Sequence, residues 1–275
     1  MQRLCVIFVA IVMCNIAFAR SMVQNVLPNT AVVAGAVTAY SEGQIAWGNP
    51  ASAANDTTYS LKLGYENRYF SSELSDEYLL AMIPTPYFNI GLSYNFFGLA
   101  AYHEMMAAIS VSRKWGRVAL GVEADYFNYY DASQVRYHYA FTAQLGIQVD
   151  VTKHLVLGFR AFNPIFSEIR LYDVPRQLPV IFDVGASYHF VSNVDLLAQV
   201  GYEVGRGVMW AVGVEYDIQR VVIAKIGVRG SDYVIPMVGV GVRFGQFRFD
   251  LSAEADFRVG VSLMSSLSCF FNKSR

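Results

Sequence analysis

Cysteine is scarce in this chain of 275 residues, which contains only Cys5, Cys14 and Cys269. The first two lie in an apolar N-terminal stretch that we expect to be removed during export, and the single cysteine that is left cannot form an internal disulfide bond. The fold therefore has to be stabilised without a disulfide framework.

Charged residues and long apolar runs are also rare in this sequence. Charged residues make up 16% of the chain and the formal net charge is −1, so we expect no nucleic-acid partner, which would need a basic surface. After Ser21, no continuous apolar run reaches the ~20 residues of a membrane-spanning helix. Yet 54% of the residues are hydrophobic and 15% are aromatic. The apolar residues must therefore be distributed in some other pattern.

The N-terminus has the layout of a secretory signal peptide. Arg3 precedes an apolar stretch from Cys5 to about Ile16, and Ala17-Phe18-Ala19 supplies a small-x-small cleavage site. A membrane anchor is the weaker alternative, because the apolar stretch is shorter than the ~20 residues that span a bilayer. We expect residues 1–19 to be removed after Ala19.

The remaining apolar residues follow a period of two. From Val135 to Val151, every odd position is apolar and every even position is polar or small, and the stretches Val208 to Tyr216 and Phe247 to Phe257 follow the same rule. Helical spacing cannot produce this alternation, which is typical of strands. About fourteen such segments of ~9–14 residues occur, the length of tilted membrane strands. They begin near Tyr59, Glu77, Phe88, Glu104, Val118, Val135, Leu155, Val180, Val194, Val208, Val222, Val234, Phe247 and Val259.

These segments predict an all-β fold, a transmembrane antiparallel β-barrel of about 14 strands formed by residues 57–275. Tight turns alternate with somewhat longer loops, the longest from Asn163 to Gln177, as in barrels of a Gram-negative-type outer membrane. We expect a monomer surrounded by outer-membrane lipids.

A soluble β-sandwich and a soluble lipid-binding barrel are the alternatives, because apolar and polar residues also alternate along their strands. Large aromatic residues on the apolar face lie near strand ends, as they do in the interfacial girdles of membrane barrels, and therefore favour the membrane barrel. These residues are Tyr126, Tyr137, Tyr139, Tyr188, Phe190, Tyr202 and Tyr216.

If the apolar face meets lipid, the opposite face lines the lumen. Charges of both signs occur there, which indicates an interior of ion pairs rather than an ion-selective pore. We expect little apolar lining, which counts against a fatty-acid path. The candidate lumen-lining polar residues are Glu123, Asp125, Arg136, His138, Asp183, His189, Glu215, Lys225, Arg243, Arg248, Asp250 and Glu254.

No catalytic, metal or cofactor motif is recognisable. The four histidines have no ligand spacing, and neither a Gly-x-Ser-x-Gly elbow nor a phosphate-binding glycine loop occurs. Ser187 with His189 is the one combination that a membrane hydrolase could use, and it is a distant alternative. We expect a protein that is not an enzyme and has no cofactor or metal site.

Two stretches resemble a known family. Small residues from Ala34 to Ala54, with Asn49-Pro50-Ala51 just before the first strand, resemble the N-terminal hatch of FadL-like outer-membrane β-barrels. Gln177-Leu178-Pro179 leading into Phe182 to Tyr188 looks like a strand entry of the related PorV/PorQ branch, which is associated with type IX secretion. An ordinary loop before the first strand is the alternative for the first stretch.

The resemblance implies a plug in the lumen, formed by residues 20–56, with Gly48, Asn49, Pro50 and Ala51 as its gating motif. It implies a channel or transporter for small hydrophobic or amphipathic compounds. The alternative is an envelope scaffold of the PorV/PorQ type, which would assist secretion or surface attachment and would have secretion-system or surface proteins as partners. Short loops and the strand-entry motif favour the scaffold, so the sequence leaves both open.

Overall fold

The computed structural model describes residues 35–40, 48–133, 136–171, 174–191 and 193–271. The predicted signal peptide, residues 1–19, lies outside the described residues. Of the predicted plug, the parts 35–40 and 48–56 are described. The first strand begins shortly after the second of these parts, at Tyr59.

In the described part of the chain, fourteen antiparallel strands close into one barrel, which confirms the predicted fold class. Two further short strands, β8 and β9, form a separate hairpin between β7 and β10. The strands are β1 (Tyr59–Asn67), β2 (Ser75–Pro84), β3 (Asn89–Leu99), β4 (Tyr102–Trp115), β5 (Val118–Asp131), β6 (Arg136–Asp150), β7 (Leu155–Phe162), β8 (Glu168–Leu171), β9 (Val174–Gln177), β10 (Ile181–Val191), β11 (Val194–Glu203), β12 (Gly207–Ile218), β13 (Val222–Gly230), β14 (Val234–Phe244), β15 (Phe247–Asp256) and β16 (Gly260–Phe271).

The first and last strands close the barrel. β1 pairs with β16 in continuous register from Tyr59 opposite Phe271 to Asn67 opposite Leu263. Closure leaves no strand edge of the barrel with unpaired N–H and C=O groups. A sheet can span the hydrocarbon core of a membrane only under this condition. Among the described residues, no helix has the length and apolar character needed to cross a membrane.

The alternation along each strand separates an outer apolar face from a buried inner face. On β6, Tyr137, Tyr139 and Phe141 point outward and are 59–64% exposed, whereas His138 and Thr142 point inward and are buried. An apolar outer face with polar residues inside is the pattern of a membrane barrel and the reverse of a soluble one. The faces that the period of two predicts are confirmed here.

The two ends of the barrel differ. At one end, which we call the termini end, β1 begins at Tyr59 and β16 ends at Phe271, and the connections between strands have two to four residues. The opposite end, which we call the loop end, carries the two longest connections, residues 68–74 and 163–180.

The hairpin β8–β9 lies in the longer of these two connections, where the sequence predicts only a loop. Each of its strands has four residues, which is too short for an alternating pattern to be recognised, and Pro175 lies within β9. The sequence pattern therefore carries no sign of the hairpin.

The closure of the barrel leads to a first testable prediction, which concerns migration on a gel. Protein folded in detergent is expected to migrate as a compact form on an unheated gel and to shift after boiling, because closure pairs every strand. A chain that ends at residue 259 lacks β16, leaves β1 and β15 as open edges, and is expected to lose this shift. A chain that ends at residue 271 keeps every strand and serves as the control. A truncated protein without β16 that still shifts on boiling would contradict the closed barrel.

Candidate functional site

A short 3₁₀ helix, Pro50–Asn55, forms the core of the described plug. Asn49 caps it, since its side-chain Oδ1 accepts a hydrogen bond from the Ala51 N–H at 3.0 Å, and Pro50 occupies the first turn, where no N–H is needed. The residues from Gly48 to Ala53 are all buried. We use the term plug for the described residues 35–40 and 48–56.

The side-chain amide of Asn49 joins the two plug segments to the barrel wall. Its Nδ2 donates to the backbone carbonyls of Thr38 at 2.8 Å, Ile147 at 3.1 Å and Phe159 at 3.1 Å. Ile147 on β6 and Phe159 on β7 face each other in the register of the sheet. One side chain thus contacts the other plug segment and two adjacent strands.

Four inward-facing glycines form a groove that receives the plug backbone. Gly121 faces Gly146 across β5 and β6, and Gly158 faces Gly185 across β7 and β10. A Cβ on Gly146 would lie 2.0 Å from the Asn49 Oδ1, and a Cβ on Gly158 would lie 2.0 Å from the Thr38 carbonyl oxygen. Only glycine permits this approach, because any side chain would collide with the plug. We call these four residues the glycine groove.

Two glutamines of the wall bind the first plug segment. The Gln148 Nε2 donates to the carbonyls of Tyr40 at 2.8 Å and Thr38 at 3.2 Å. The Gln199 Oε1 accepts from the Thr38 N–H at 2.9 Å and from its hydroxyl at 2.6 Å. These bonds satisfy the backbone polar groups of a segment that has no regular structure of its own.

The second plug segment is bound at both of its ends. At its start, the Arg160 Nη1 donates to the Gly48 carbonyl at 3.2 Å, and the same guanidinium forms a buried ion pair with Asp183. At its end, the Asn89 Nδ2 donates to the carbonyls of Ala53 at 2.7 Å and Asp56 at 2.8 Å. The described parts of the predicted plug, residues 35–40 and 48–56, therefore lie in the lumen and are fixed to the wall at the termini end.

A cluster of buried apolar side chains occupies the lumen beside the plug, contrary to the expectation of little apolar lining. The expectation was wrong because several strands, β2 among them, carry apolar residues on the inner face as well as the outer one. The cluster extends from the plug to the hairpin, and we call it the apolar cluster. Its members are Ala53, Tyr78, Leu80, Met82, Met106, Ala108, Phe127, Ala140, Phe162, Ile169, Leu178 and Ile181.

The hairpin β8–β9 contributes Ile169 to the buried interior while β9 stays exposed, and it is held by Asn163, which is completely buried. The Asn163 Oδ1 accepts from the Thr142 hydroxyl at 2.7 Å and from the Ser167 N–H at 2.8 Å, while its Nδ2 donates to the Leu178 carbonyl at 3.0 Å. Ile169 and Leu178 thereby join the apolar cluster. The hairpin covers the cluster from the loop end, as the plug does from the termini end.

Ion pairs occupy the opposite side of the lumen. Asp250 on β15 binds the Lys225 Nζ at 2.6 Å and the Arg248 Nε at 2.8 Å, and Glu254 binds the Arg229 Nη2 at 2.6 Å. This arrangement agrees with the expectation of an interior of mixed, paired charges, because each of these three carboxylate–cation contacts joins buried or partly buried groups of opposite charge.

The structure places the twelve predicted lumen residues as follows. Arg136, the first residue of β6, is exposed at the loop end, and His189 and Arg243 are half-buried near the termini end. The other nine are buried on the inner face: Glu123, Asp125, His138, Asp183, Glu215, Lys225, Arg248, Asp250 and Glu254. They do not form one site, since Lys225, Arg248, Asp250 and Glu254 belong to the ion-pair side and Asp183 binds Arg160 near the plug.

The distant hydrolase alternative gains little from the geometry. His189 contacts the Asp195 carboxylate through its Nδ1, and Ser187 is buried two residues away on the same inner face. Within the described ranges, no three His, Cys, Asp or Glu side chains converge on a metal-binding point.

Sequence reasoning missed the residues that hold the plug. Thr38, Asn89, Gln148 and Gln199 carry no motif, and the pairs they form are far apart in the chain. The inward-facing glycines of β5, β6, β7 and β10 were a usable signal, since glycine in a strand interior marks a close backbone approach.

Filling the glycine groove is expected to displace the plug. Gly146→Ala places a Cβ 2.8 Å from the Ala51 backbone N, and a backbone atom cannot turn aside as a side chain can. Amide hydrogen exchange of residues 48–53 is expected to accelerate about tenfold or more, because the segment opens locally. Gly239→Ala is the control, since its Cβ meets the rotatable Ser252 hydroxyl at 2.5 Å on a wall that is remote from the plug. Unchanged exchange in Gly146→Ala would contradict the groove.

Removing the Asn163 side chain is expected to free the hairpin. Asn163→Ala loses at least two hydrogen bonds worth about 1 kcal/mol each, so cleavage through local opening rises about tenfold or more. The backbone φ of 52° at this position adds strain for alanine. Trypsin cleavage at Arg170 and Arg176 reports the opening, and Asn193→Ala in a turn at the termini end is the control. Equal cleavage rates in both variants would show that Asn163 does not hold the hairpin.

Comparison with known proteins identifies related folds. No family profile matches the sequence, and no curated protein matches it. The solved structure of the Pseudomonas putida toluene transporter TodX is similar, with a TM-score of 0.67 at 11% identity over 89% of this chain and 97% of that one. A deltaS2 mutant of the TodX monoaromatic hydrocarbon channel gives a TM-score of 0.70 at 11% identity over 90% and 99%.

At this identity, the likeness shows the fold alone. TodX is a FadL-family channel, so the barrel agrees with the FadL-like part of the resemblance seen in the sequence. The PorV/PorQ branch stays a prediction. The chain thus has a closed, fourteen-stranded barrel of the architecture found in this hydrocarbon channel.

Proposed function

We propose that the protein is an outer-membrane channel for small hydrophobic compounds, exported with its signal peptide and closed at the termini end by the plug. The observation that carries the proposal is the apolar cluster, which extends through the lumen from Ala53 of the plug to Ile169 of the hairpin. The similarity of fold to the TodX toluene transporter supports it.

The composition of the cluster suits apolar solutes. Phe127 and Phe162 pack edge to face with ring centroids 6.2 Å apart, and Met82 and Met106 lie in the same cluster. Methionine side chains are flexible and polarisable, so they adapt to apolar or aromatic molecules of varied shape. A mostly apolar lining with a few polar groups is typical of sites for small hydrophobic ligands.

Both covers of the cluster are held by contacts that can be exchanged with water. The plug is bound to the wall mainly by neutral hydrogen bonds, and the hairpin by those of Asn163. Each such bond contributes about 1 kcal/mol net. Displacement of either cover would therefore leave the fourteen-stranded ladder intact and open a path to the apolar cluster.

Uptake of radiolabelled toluene by cells with the protein in their outer membrane tests the proposal. We expect uptake above that of vector cells, and a further rise with Asn49→Ala, which loosens the plug. Ala140→Trp places a bulky side chain in the apolar cluster and is expected to return uptake to the vector level. Ala124→Trp, the same change on the exposed outer face of β5, is the control and is expected to leave uptake unchanged.

Uptake at the vector level by both the wild type and Asn49→Ala, with barrels that still shift on boiling, would reject the channel. Capture of exported or surface proteins by the same barrel would then favour the scaffold of the PorV/PorQ type. No specific contact in the described residues favours that scaffold over the channel.

A further inference from the structure

The inner face of β3 interrupts the apolar cluster with polar side chains. Ser93 and Asn95 both point into the lumen and are 8% and 2% exposed. None of the described residues of β3 belongs to the cluster, although β2 and β4 on either side of it contribute members. We call Ser93 and Asn95 the polar pair. Neither the plug, nor the hairpin, nor the ion-pair side of the lumen uses it.

One oxygen atom of each residue in the polar pair is buried and has no hydrogen-bond partner among the described residues. These atoms are the Ser93 Oγ and the Asn95 Oδ1. Buried polar atoms are nearly always paired, because an unpaired one loses its hydration without compensation. Two such atoms on one short stretch of strand indicate a place for a polar atom from outside the chain.

The sheet register surrounds the polar pair with apolar side chains. Its cross-strand neighbours are all members of the apolar cluster, namely Leu80 and Ala108 beside Ser93, and Tyr78 and Met106 beside Asn95. Other inward-facing serines with unpartnered hydroxyls have glycine or polar residues on both sides, and these are Ser110, Ser112 and Ser268. A polar atom bound by the pair would therefore carry an apolar body.

A neighbouring ion pair fixes the orientation of the Asn95 amide. The Asn95 Nδ2 donates to the Asp76 Oδ1 at 2.6 Å, and the other oxygen of this carboxylate accepts from the Arg68 Nη2 at 3.4 Å. A carboxylate that is bound by a guanidinium only accepts hydrogen bonds, so the amide has to turn its Nδ2 toward Asp76. The Asn95 Oδ1 is thereby held as an acceptor that points away from the ion pair.

The two unpartnered atoms match a hydroxyl group. Residues two apart in a strand share a face and lie about 6.6 Å from each other, so an oxygen atom between their side chains can form a hydrogen bond of about 2.8 Å to each. A hydroxyl would donate its proton to the Asn95 Oδ1 and accept the proton of the Ser93 hydroxyl. A carboxylate cannot donate, an ammonium group cannot accept, and a hydrocarbon can do neither.

We propose that Ser93 and Asn95 bind the hydroxyl group of small apolar hydroxyl compounds, phenols above all, within the apolar cluster. The ring of such a compound would lie against Met106 and Phe127, which face each other across β4 and β5. Methionine and aromatic side chains both make favourable contacts with aromatic rings. The proposal rests on the proposed function, because it names the class of small hydrophobic compound that the lumen takes.

Fluorine NMR titration of the detergent-folded full chain with para-fluorophenol and para-fluorotoluene, corrected with protein-free micelles, tests the proposal. We expect saturable binding of para-fluorophenol by the wild type. Ser93→Ala is expected to weaken this binding about fivefold, the effect of one lost hydrogen bond, and to leave that of para-fluorotoluene unchanged. Asn95→Leu is expected to act in the same way, whereas Ser93→Thr keeps a hydroxyl and should bind as the wild type does.

Ser252→Ala is the matched control, since Ser252 is a buried serine of the inner face on β15, away from the apolar cluster. It is expected to change the binding of neither probe. The shift on boiling shows that each variant has folded, and Ser93→Ala alone decides the question if Asn95→Leu lacks this shift.

No saturable binding of para-fluorophenol by the wild type would overturn the proposal, as would unchanged binding in Ser93→Ala. Equal weakening of both probes in Ser93→Ala would also overturn it, because that result reports lost packing and not a lost hydroxyl partner. The measurement requires no transport, so selective weakening in a barrel without toluene uptake would reject the channel and keep the binding site. Toluene uptake without selective weakening would keep the channel and remove the site.

Discussion

The close approach of the plug backbone to the barrel wall is the contact on which the interior of this molecule depends. It is possible only because Gly121, Gly146, Gly158 and Gly185 have no side chains where the wall contacts the plug. Glycine weakens a strand, so four of them on the inner face are a cost to the barrel that the plug contacts offset. The wall and the plug therefore have to be understood as one packed unit at the termini end.

The remaining lumen divides into two sides with different chemistry. On β13 and β15, paired charges such as Lys225 with Asp250 hold the strands to one another across the inner face. On β2, β4 and β5, apolar side chains such as Leu80, Met106 and Phe127 lie on the inner face beside buried carboxylates, and they form one cluster with Ala53 of the plug and Ile169 of the hairpin. Burying an unpaired charge costs free energy, and the charges on β13 and β15 are accordingly paired with one another. This separation leaves a continuous apolar region beside the plug.

Local patterns in the sequence were enough to predict the barrel. A period of two determines which residues point outward from the barrel, and it predicted fourteen strands close to where they lie, because each strand is defined by its own residues. Asn49-Pro50 could be recognised as the start of a compact turn for the same reason. The partners of Asn49 could not be predicted, since Ile147 and Phe159 lie 98 and 110 positions away. The hairpin was missed because four-residue strands carry no period.

The plug is held by a different kind of bonding from that which holds the strands of the wall together. Strand ladders of the barrel repeat their hydrogen bonds over eight to fifteen residues, whereas Asn49, Gln148 and Gln199 supply a few isolated bonds, mostly to carbonyl groups. Since each contributes only about 1 kcal/mol net and water can replace it, the plug can leave its groove at a cost far below that of opening the barrel. The plug is therefore a covalently continuous segment, seated in a rigid wall, that can be displaced without breaking the strand ladder.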